Sequence, residues 1–390
     1  MFIKKQLFFL LVMMPLAFLI AACVNDDNDE NDYDGETVVV NEDGTTSNGS
    51  IFSYIDEKNF YLDGVMYSIV DGHLVVSRYD AMKAKSTTVN IVPKISIKGT
   101  VFKVLSIGEH AFLWCSDLTS VAIPNGVITI EGTAFYGCTR LTSITIPRSV
   151  ASIGKLAFWN CHNLTSISVE DGNKVYDSRN NCNAIIETKN NRLIVGCNNT
   201  KIPDNIATIE SRAFYFCNGL TSLTIPNSVV SIGFEAFRGC SGLTSIIIPN
   251  SVTSVGGCAF RDCSGLTAVT ISNSLNNLEE GTFMGCSNLT SIIIPGGVTT
   301  ISYNVFKGCS QLTSITIPSS VTQIENAFVE CGGLTSIHCQ MKEPLLVDKY
   351  YYTLFDIDVY ASATLYVPKG SREAYMRTNP WDKFKNIVEE

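Results

Sequence analysis

Residues 141–161 read LTSITIPRSVASIGKLAFWNC, and close copies of this stretch recur along the chain. Each copy ends in the unit Phe-x-x-Cys, and successive cysteines of these units are mostly 23 residues apart. One step is 56 residues, which is one repeat plus an insertion of 33, and the last step is 22. A fixed period of this length is typical of a solenoid, in which each repeat forms one coil. The nine cysteines that mark the coils are Cys115, Cys138, Cys161, Cys217, Cys240, Cys263, Cys286, Cys309 and Cys331.

The first part of the repeat predicts a short strand. Leu141, Ile144 and Ile146 alternate with Ser and Thr, which indicates a strand with one buried face. Pro147 has no N–H to donate to a neighbouring strand, so the strand is expected to end there.

The second part of the repeat predicts a return to the core. Val150 and Ile153 are expected to point inward, and Ala157, Phe158 and Cys161 to form one short helical turn packed against the interior. One coil cannot bury these residues alone, whereas stacked coils place like residues directly above one another.

The unit Leu-Thr-Ser-Ile-x-Ile-Pro, followed by Ile-Gly and Ala-Phe-x-x-Cys, resembles the 23-residue leucine-rich repeat of BspA-like surface lipoproteins of the Bacteroides group. The resemblance covers residues 104–337. It implies a β-rich α/β solenoid, a right-handed array of nine leucine-rich repeats with β caps at its N- and C-terminal ends. The departures from the unit are Glu131, Glu210, Glu279 and Glu325 in place of Gly, Ser272 in place of Pro, and Thr282 and Val305 in place of Ala.

The segments outside the repeats are predicted to close the ends of the solenoid. Residues 51–103 alternate between apolar and polar residues and are expected to cover the first coil, and residues 338–390 to cover the last. An uncovered coil would present an unpaired sheet edge. The insertion, 170–202, holds two apolar runs around a polar turn, which predicts a β-hairpin that projects from the solenoid between the third and fourth repeats.

The N-terminus has the features of an export signal. Lys4 and Lys5 precede an apolar run from Leu7 to Ile20, which is short for a membrane span. Ala-Ala-Cys follows, so residues 1–22 resemble a bacterial lipoprotein signal peptide with Cys23 as the lipidated first residue of the mature protein. We therefore expect an exported protein that is anchored to a membrane by lipid. The resemblance to Bacteroides-group surface lipoproteins implies that this membrane is the outer membrane and that the protein lies on the cell surface.

Residues 23–50 are predicted to form an acidic, disordered tether. The stretch 24–50 holds nine acidic residues and no Lys or Arg, and their mutual repulsion favours an extended chain. An acidic stretch after a lipidated Cys also resembles the surface-export signal of Bacteroides lipoproteins. The chain has a net charge of −9, whereas nucleic-acid binding requires a basic face. It contains only four His residues, so no metal site or other cofactor is expected.

The cysteines at one phase of the repeat are expected to form a column of small, buried, reduced side chains. Stacked coils make their Cα–Cβ vectors parallel, which is a poor geometry for disulfides. Cys182 and Cys197 flank the predicted hairpin instead, and for them a disulfide and two free thiols are equally compatible with the spacing.

The chain contains no Walker loop, nucleophile elbow, zinc-protease helix or dinucleotide-binding glycine motif. Glu279 and Glu280 are the one adjacent acidic pair between residues 207 and 337, and neighbours on a loop point apart rather than converge on a sugar. These observations predict a protein that is not an enzyme.

In each repeat strand, the residue between the two inward aliphatic residues is expected to face solvent. This position gives an uncharged, hydroxyl-rich column with two Ile residues. Tight stacking of strands also explains the hydroxyls, whereas exposed β-branched apolar residues favour a partner. The candidate binding residues of this sheet face are Thr224, Ile247, Thr270, Ile293 and Thr316.

The position after each repeat Phe gives a second candidate column, which changes from aromatic to basic along the array. Exposed Tyr, Trp and Arg are typical of interfaces, although the rings could equally pack beside the next coil. The candidate residues of this aromatic and basic column are Tyr136, Trp159, Tyr215, Arg238 and Arg261.

Together these features predict a non-enzymatic, adhesin-like binding protein of the cell surface. The family resemblance implies adhesion to a host or bacterial surface protein, without fixing the ligand. The alternative is a glycan-binding accessory lipoprotein of a nutrient-uptake system, which would use the exposed rings and hydroxyls.

Overall fold

The computed structural model describes residues 36–84, 86–346 and 354–390. The predicted signal peptide, 1–22, and the predicted lipidation site, Cys23, lie outside the described residues.

The N-terminal part forms a mixed sheet with the order β1-β7-β8-β5-β4-β3-β2. Strand β8 also pairs in parallel with a strand of the first coil, so this sheet continues into the repeats. The elements of this N-terminal part are β1 (Thr37–Val40), β2 (Phe52–Tyr54), β3 (Asn59–Leu62), β4 (Val65–Val70), β5 (His73–Tyr79), α1 (Ala81–Ala84), β6 (Thr88–Asn90), β7 (Lys94–Ile97) and β8 (Thr100–Ile107).

Strand β1 lies within the segment predicted as a tether, 23–50. It pairs in parallel with β7, and the side chains of Val38 and Val40 are buried. The prediction of disorder is therefore wrong for this strand. The consecutive Val residues of β1 give it an apolar face to bury, and that burial outweighs the acidic composition around the strand.

The repeats contribute two sets of parallel strands. The first set follows the unit Leu-Thr-Ser and consists of β9 (Ser120–Ala122), β11 (Ser143–Ile146), β13 (Ser166–Val169), β19 (Ser245–Ile247), β21 (Ala268–Thr270), β23 (Ser291–Ile293), β25 (Ser314–Ile317) and β27 (Ser336–Cys339). The second set consists of two-residue strands: β10 (Thr129–Ile130), β12 (Ser152–Ile153), β17 (Thr208–Ile209), β18 (Ser231–Ile232), β20 (Ser254–Val255), β22 (Asn277–Leu278), β24 (Thr300–Ile301) and β26 (Gln323–Ile324).

The segment Ala-Phe-x-x-Cys forms successive turns, so the predicted helical turn is wrong. In every repeat the residue before the Ala position and the residue before the Cys have positive φ; in the third repeat these are Leu156 at 61° and Asn160 at 60°. A right-handed helical turn cannot contain a residue in the left-handed region. Among the described residues the α-helices lie outside the repeats, which corrects the predicted α/β class to a solenoid of strands and turns.

The repeat Phe side chains form two stacks inside the solenoid, one on each side of the insertion. Neighbouring ring centroids are 4.9–5.9 Å apart and the ring planes differ by at most 14°. One run is Phe112, Phe135 and Phe158, and the other is Phe214, Phe237, Phe260, Phe283, Phe306, Phe328 and Phe355.

The cysteine column lies beside the Phe stack. The thiol of Cys240 donates to the carbonyl oxygen of Phe214 in the preceding coil at 3.1 Å, and six further column thiols make the equivalent bond at 3.0–3.3 Å. Every described cysteine is a free thiol. Burial raises the pKa of Cys161, Cys263 and Cys331 to about 12 each, because a thiolate is poorly solvated there.

The insertion contains the predicted hairpin, formed by the antiparallel strands β15 (Ala184–Glu187) and β16 (Arg192–Gly196). It is preceded by β14 (Tyr176–Asp177) and a 3₁₀-helix (Arg179–Asn181). The hairpin does not project as predicted. Strand β16 pairs in parallel with β17 of the fourth coil, and Ile185 and Leu193 are fully buried, so the hairpin is a layer of the solenoid.

The C-terminal part extends the first set of strands. Strand β28 (Thr364–Val367) pairs in parallel with β27, and β29 (Asn386–Glu389) pairs in parallel with β28. Phe355 stacks on Phe328, so the ring stack also continues into this segment. The remaining elements are α2 (Ile357–Ser362), α3 (Arg372–Tyr375) and a 3₁₀-helix (Trp381–Lys383).

Replacing Phe260 by Ala should lower the free energy of unfolding by about 3–5 kcal/mol, since the ring is fully buried between Phe237 and Phe283. The measurement is the urea-unfolding curve. The matched control is Phe234→Ala at an exposed Phe, for which a much smaller loss is expected. Equal losses in the two variants would contradict a stabilising role of the stack.

The column thiols should resist alkylation by iodoacetamide at about pH 8 while the chain is folded, since only a thiolate reacts and the raised pKa keeps these groups protonated. Cys258, outside the column, and Cys115, at the N-terminal end of the column, are partly exposed, so these two should be labelled first, whereas the other column thiols are buried. Mass spectrometry of labelled peptides before and after unfolding provides the test. If Cys240 or Cys263 were labelled as fast as Cys258 in the folded chain, the column thiols would be accessible to the reagent and the prediction would be wrong.

Candidate functional site

The sheet face is the solvent side of the seven-stranded sheet β19-β21-β23-β25-β27-β28-β29. In the parallel register Ile247 lies opposite Thr270, and Ile293 lies opposite Thr316. Ile247 is 66% exposed and Ile293 is 79% exposed. The face thus carries two protruding aliphatic side chains among hydroxyls, with no charge between them.

Thr224, the first predicted residue of the sheet face, is exposed but does not lie in a strand. The insertion enters the chain between β13 and this segment of the fourth coil. The segment that holds Thr224 consequently has no paired strand on the side of β13. The sheet face therefore begins only at Ile247 in β19.

The sheet face extends further toward the C-terminus than the candidate residues suggested. His338 lies opposite Tyr366, and their rings stack with centroids 4.5 Å apart. The Nδ1 atom of His338 lies 2.9 Å from a carboxylate oxygen of Glu390. The repeat did not predict this pairing, because β28 belongs to no repeat unit.

The aromatic residues of the second column pack against one another. Trp159 contacts Tyr136 at a centroid distance of 4.9 Å and Tyr215 at 4.7 Å, with interplanar angles of 65° and 69°. Trp114, which was not a candidate, adds a fourth ring against Tyr136. The rings therefore form an edge-to-face row on the solenoid side rather than a set of coplanar faces.

The basic residues of the same column are paired with acidic neighbours. Glu235 is only 5% exposed and accepts hydrogen bonds from Arg238 and, at 2.7 Å, from Nε of Arg212. Arg238 and Arg261 also lie within 3.5 Å of Asp262. The column consequently offers little net positive charge to a partner.

A cleft of about 530 Å³ opens where the insertion interrupts the repeats. It lies between Phe158, the last ring of the first stack, and the turn that carries Phe214, the first ring of the second. Strand β16 forms part of its wall, and the side chains of Glu187, Arg192 and Glu210 line it. This cleft was not predicted, because its acidic and basic residues come from three separate segments.

Cys182 and Cys197 are both free and buried, so the disulfide alternative is not realised. The Cys197 thiol instead donates to the carbonyl oxygen of Asn183 at 3.3 Å. Within the described ranges, no group of three or more His, Cys, Asp or Glu side chains is arranged to hold a metal ion. Nor is any helix in the described part of the chain long and apolar enough to cross a bilayer.

Two solved structures with TM-scores above 0.5 support the leucine-rich repeat fold. A leucine-rich repeat protein from Eubacterium ventriosum is 22% identical, with a TM-score of 0.51 over 73% of this chain and 90% of its own. The pneumococcal vaccine antigen PcpA is 15% identical, with a TM-score of 0.51 over 85% of this chain and 98% of its own. A leucine-rich cell surface protein from Faecalibacterium prausnitzii is 22% identical, with a TM-score of 0.39 over 73% of this chain and 95% of its own.

No curated protein matches the chain significantly in sequence. The model of the BspA-type leucine-rich repeat region, in contrast, matches residues 105–194 and 207–335, which is more than half of the chain. These matched segments contain the repeat Phe residues from Phe112 to Phe328, the cysteine column, the second strand set and the first strand set up to β25. They leave out residues 195–206, at the end of the insertion. The chain therefore belongs to the BspA-type leucine-rich repeat family.

Proposed function

We propose that this chain is a non-enzymatic binding protein of the cell surface that recognises a host or bacterial surface protein through the sheet face. Residues 1–22 would direct export and be removed, and lipid on Cys23 would anchor the mature protein at the outer membrane. The acidic segment after Cys23 would hold the solenoid away from the bilayer, because its charges repel one another and favour an extended chain.

The observation that carries this proposal is the exposure of Ile247 and Ile293 on an uncharged parallel sheet. The two side chains belong to β19 and β23, which are separated by one strand, so they stand about 10 Å apart on a backbone fixed by ladder hydrogen bonds. Burying each against a partner would stabilise the complex by about 1.5–3 kcal/mol. A pre-ordered face also loses little conformational entropy on binding.

The glycan-binding alternative requires that the aromatic and basic column expose the flat faces of its rings to a sugar. The large angles between the rings of Tyr136, Trp159 and Tyr215 disfavour that arrangement, since each ring covers part of its neighbour. Protein recognition by the sheet face is therefore the better-supported function for the exposed columns.

A hydrolytic function needs two convergent carboxyl groups, and Glu187 and Glu210 do converge on Arg192 in the cleft. One member of a glycosidase pair must hold a proton to act as the general acid. Both carboxyl groups are instead engaged by the guanidinium of Arg192, which lies 2.7 Å from Glu210 and 3.5 Å from Glu187. The pair consequently supports binding rather than hydrolysis.

The double substitution Ile247→Asp/Ile293→Asp should abolish saturable binding of the full chain to its protein partner, because burying two carboxylates without counter-charges is unfavourable. The measurement is biolayer interferometry against a panel of host matrix proteins, together with adhesion assays on whole bacterial cells.

The matched control is Val101→Asp/Val230→Asp, which changes two exposed aliphatic residues away from the sheet face. Circular dichroism should show the same unfolding temperature for both double variants. Binding that survives the sheet-face substitutions, or that is lost equally in the control, would refute recognition by this face.

A further inference from the structure

The cleft at the insertion is a built cavity with its own chemistry, separate from the sheet face. Its walls come from the turn of the third coil, strand β16 of the hairpin and the turn of the fourth coil. Its volume of about 530 Å³ lies within the range of small-molecule sites. The half-buried side chains of Ile194 and Val195 and the ring of Phe234 supply apolar wall.

Arg192 is held at the cleft by two carboxylates. Its Nε atom donates to Oε1 of Glu210 at 2.7 Å, and its Nη1 atom lies 3.5 Å from Oε2 of Glu187. Among the described residues, none donates to the second oxygen of either carboxylate, and none accepts from Nη2 of Arg192. Two acceptors and a donor are thus left without a protein partner on side chains that line the cleft.

The unpaired carboxylate oxygens and guanidinium N–H could form hydrogen bonds with adjacent hydroxyl groups of a ligand. A hydroxyl can donate to a carboxylate oxygen and accept from a guanidinium N–H at the same time. Hydrogen bonds to charged groups are also stronger than those between neutral groups, which allows a few of them to orient a small ligand.

The charge around the cleft argues for a neutral ligand. Lys155, Arg192 and Arg212 line it together with Glu187 and Glu210, and Arg212 is paired to the buried Glu235 behind it. An anionic ligand would meet two carboxylates, and a cationic ligand would meet the basic groups. Neither sign of charge is favoured by the balance of the site.

The aromatic side chains at the cleft are held in place by their neighbours. The guanidinium of Arg212 lies over the rings of Trp159 and Phe234, at 5.5 Å and 5.2 Å from the centroids. Trp159 also has its Nε1 atom buried without a partner among the described residues, which is unusual for an indole donor. Trp159, Tyr215 and Phe234 therefore give the cleft a rigid aromatic wall.

An extended peptide is a poorer fit. Peptides that bind beside a strand add to its open edge, but β16 is already paired on both sides, with β15 and with β17. A peptide in the cleft would leave its backbone N–H and C=O groups without ladder partners.

We infer that this cleft binds a neutral saccharide, whose adjacent hydroxyls are held by Glu187, Arg192 and Glu210 and whose ring packs on the aromatic wall. The site is independent of the sheet face, so the protein carries two binding surfaces: a flat one for a protein and a concave one for a sugar.

Saturation-transfer NMR with the full chain in detergent provides the test. The probes are the methyl glycosides of glucose, galactose and mannose, the disaccharides cellobiose and lactose, and two comparators, N-acetylneuraminic acid and trialanine. We expect saturation transfer to at least one neutral sugar. Glu210→Gln should weaken that binding by about tenfold or more, because it removes a charge-assisted hydrogen bond and the ion pair that positions Arg192.

The matched control is Glu279→Gln, which changes an exposed Glu at the same repeat position in another coil and should leave binding unchanged. A second variant, Ser211→Trp, places a large ring in the cleft from an exposed position and should abolish sugar binding without removing a contact. The Ile247→Asp/Ile293→Asp variant should keep sugar binding, which separates this inference from the proposed protein recognition.

The inference is overturned if no neutral sugar shows saturation transfer, if only a comparator does, or if both cleft variants bind as the unchanged chain does. Cleavage of a disaccharide during the measurement would overturn it as well, since the site would then be catalytic.

Discussion

The burial of each Phe ring by the rings above and below it is the constraint on which the structure depends. The ring spacing is close to the distance between hydrogen-bonded strands, about 4.8 Å. The rings, strands and thiols therefore repeat with nearly the same spacing along the solenoid axis. This spacing lets the backbone groups of one coil form hydrogen bonds with those of the next. Phe135 shows this coupling, since its N–H donates to the carbonyl oxygen of Ala157 in the following coil at 2.8 Å.

The features that stacking imposes on every coil could be predicted from the sequence. The spacing of Phe and Cys predicted the two inner columns, and the Leu-Thr-Ser-Ile alternation predicted the first strand set. The turns could not be predicted in the same way. Leu156 and Arg212 adopt positive φ although neither is a residue that favours it, because stacking holds the turn of each coil in the shape of its neighbours. At these positions, the packing of neighbouring coils determines the backbone conformation, and the conformational preference of the single residue does not.

The cleft was missed for a related reason. The hairpin itself has a local signal, but its position depends on the pairing of β16 with a strand from a different coil. Only that pairing brings Arg192 to Glu210, which replaces the usual Gly of the repeat. Departures from a repeat unit are thus informative, although the sequence alone does not say which of them face a cavity. Glu279, at the same position elsewhere, is simply exposed.

The interruption of the Phe stack also divides the interior into two apolar clusters, one on each side of the insertion. In a solenoid each coil is coupled mainly to its nearest neighbours, so cooperativity passes along the array only as far as those couplings are strong. The junction between Phe158 and Phe214 is a weak link in that chain of couplings. We therefore expect the array to unfold as two units that meet at the hairpin, and a mechanical load along the solenoid axis to open this junction before either unit unravels.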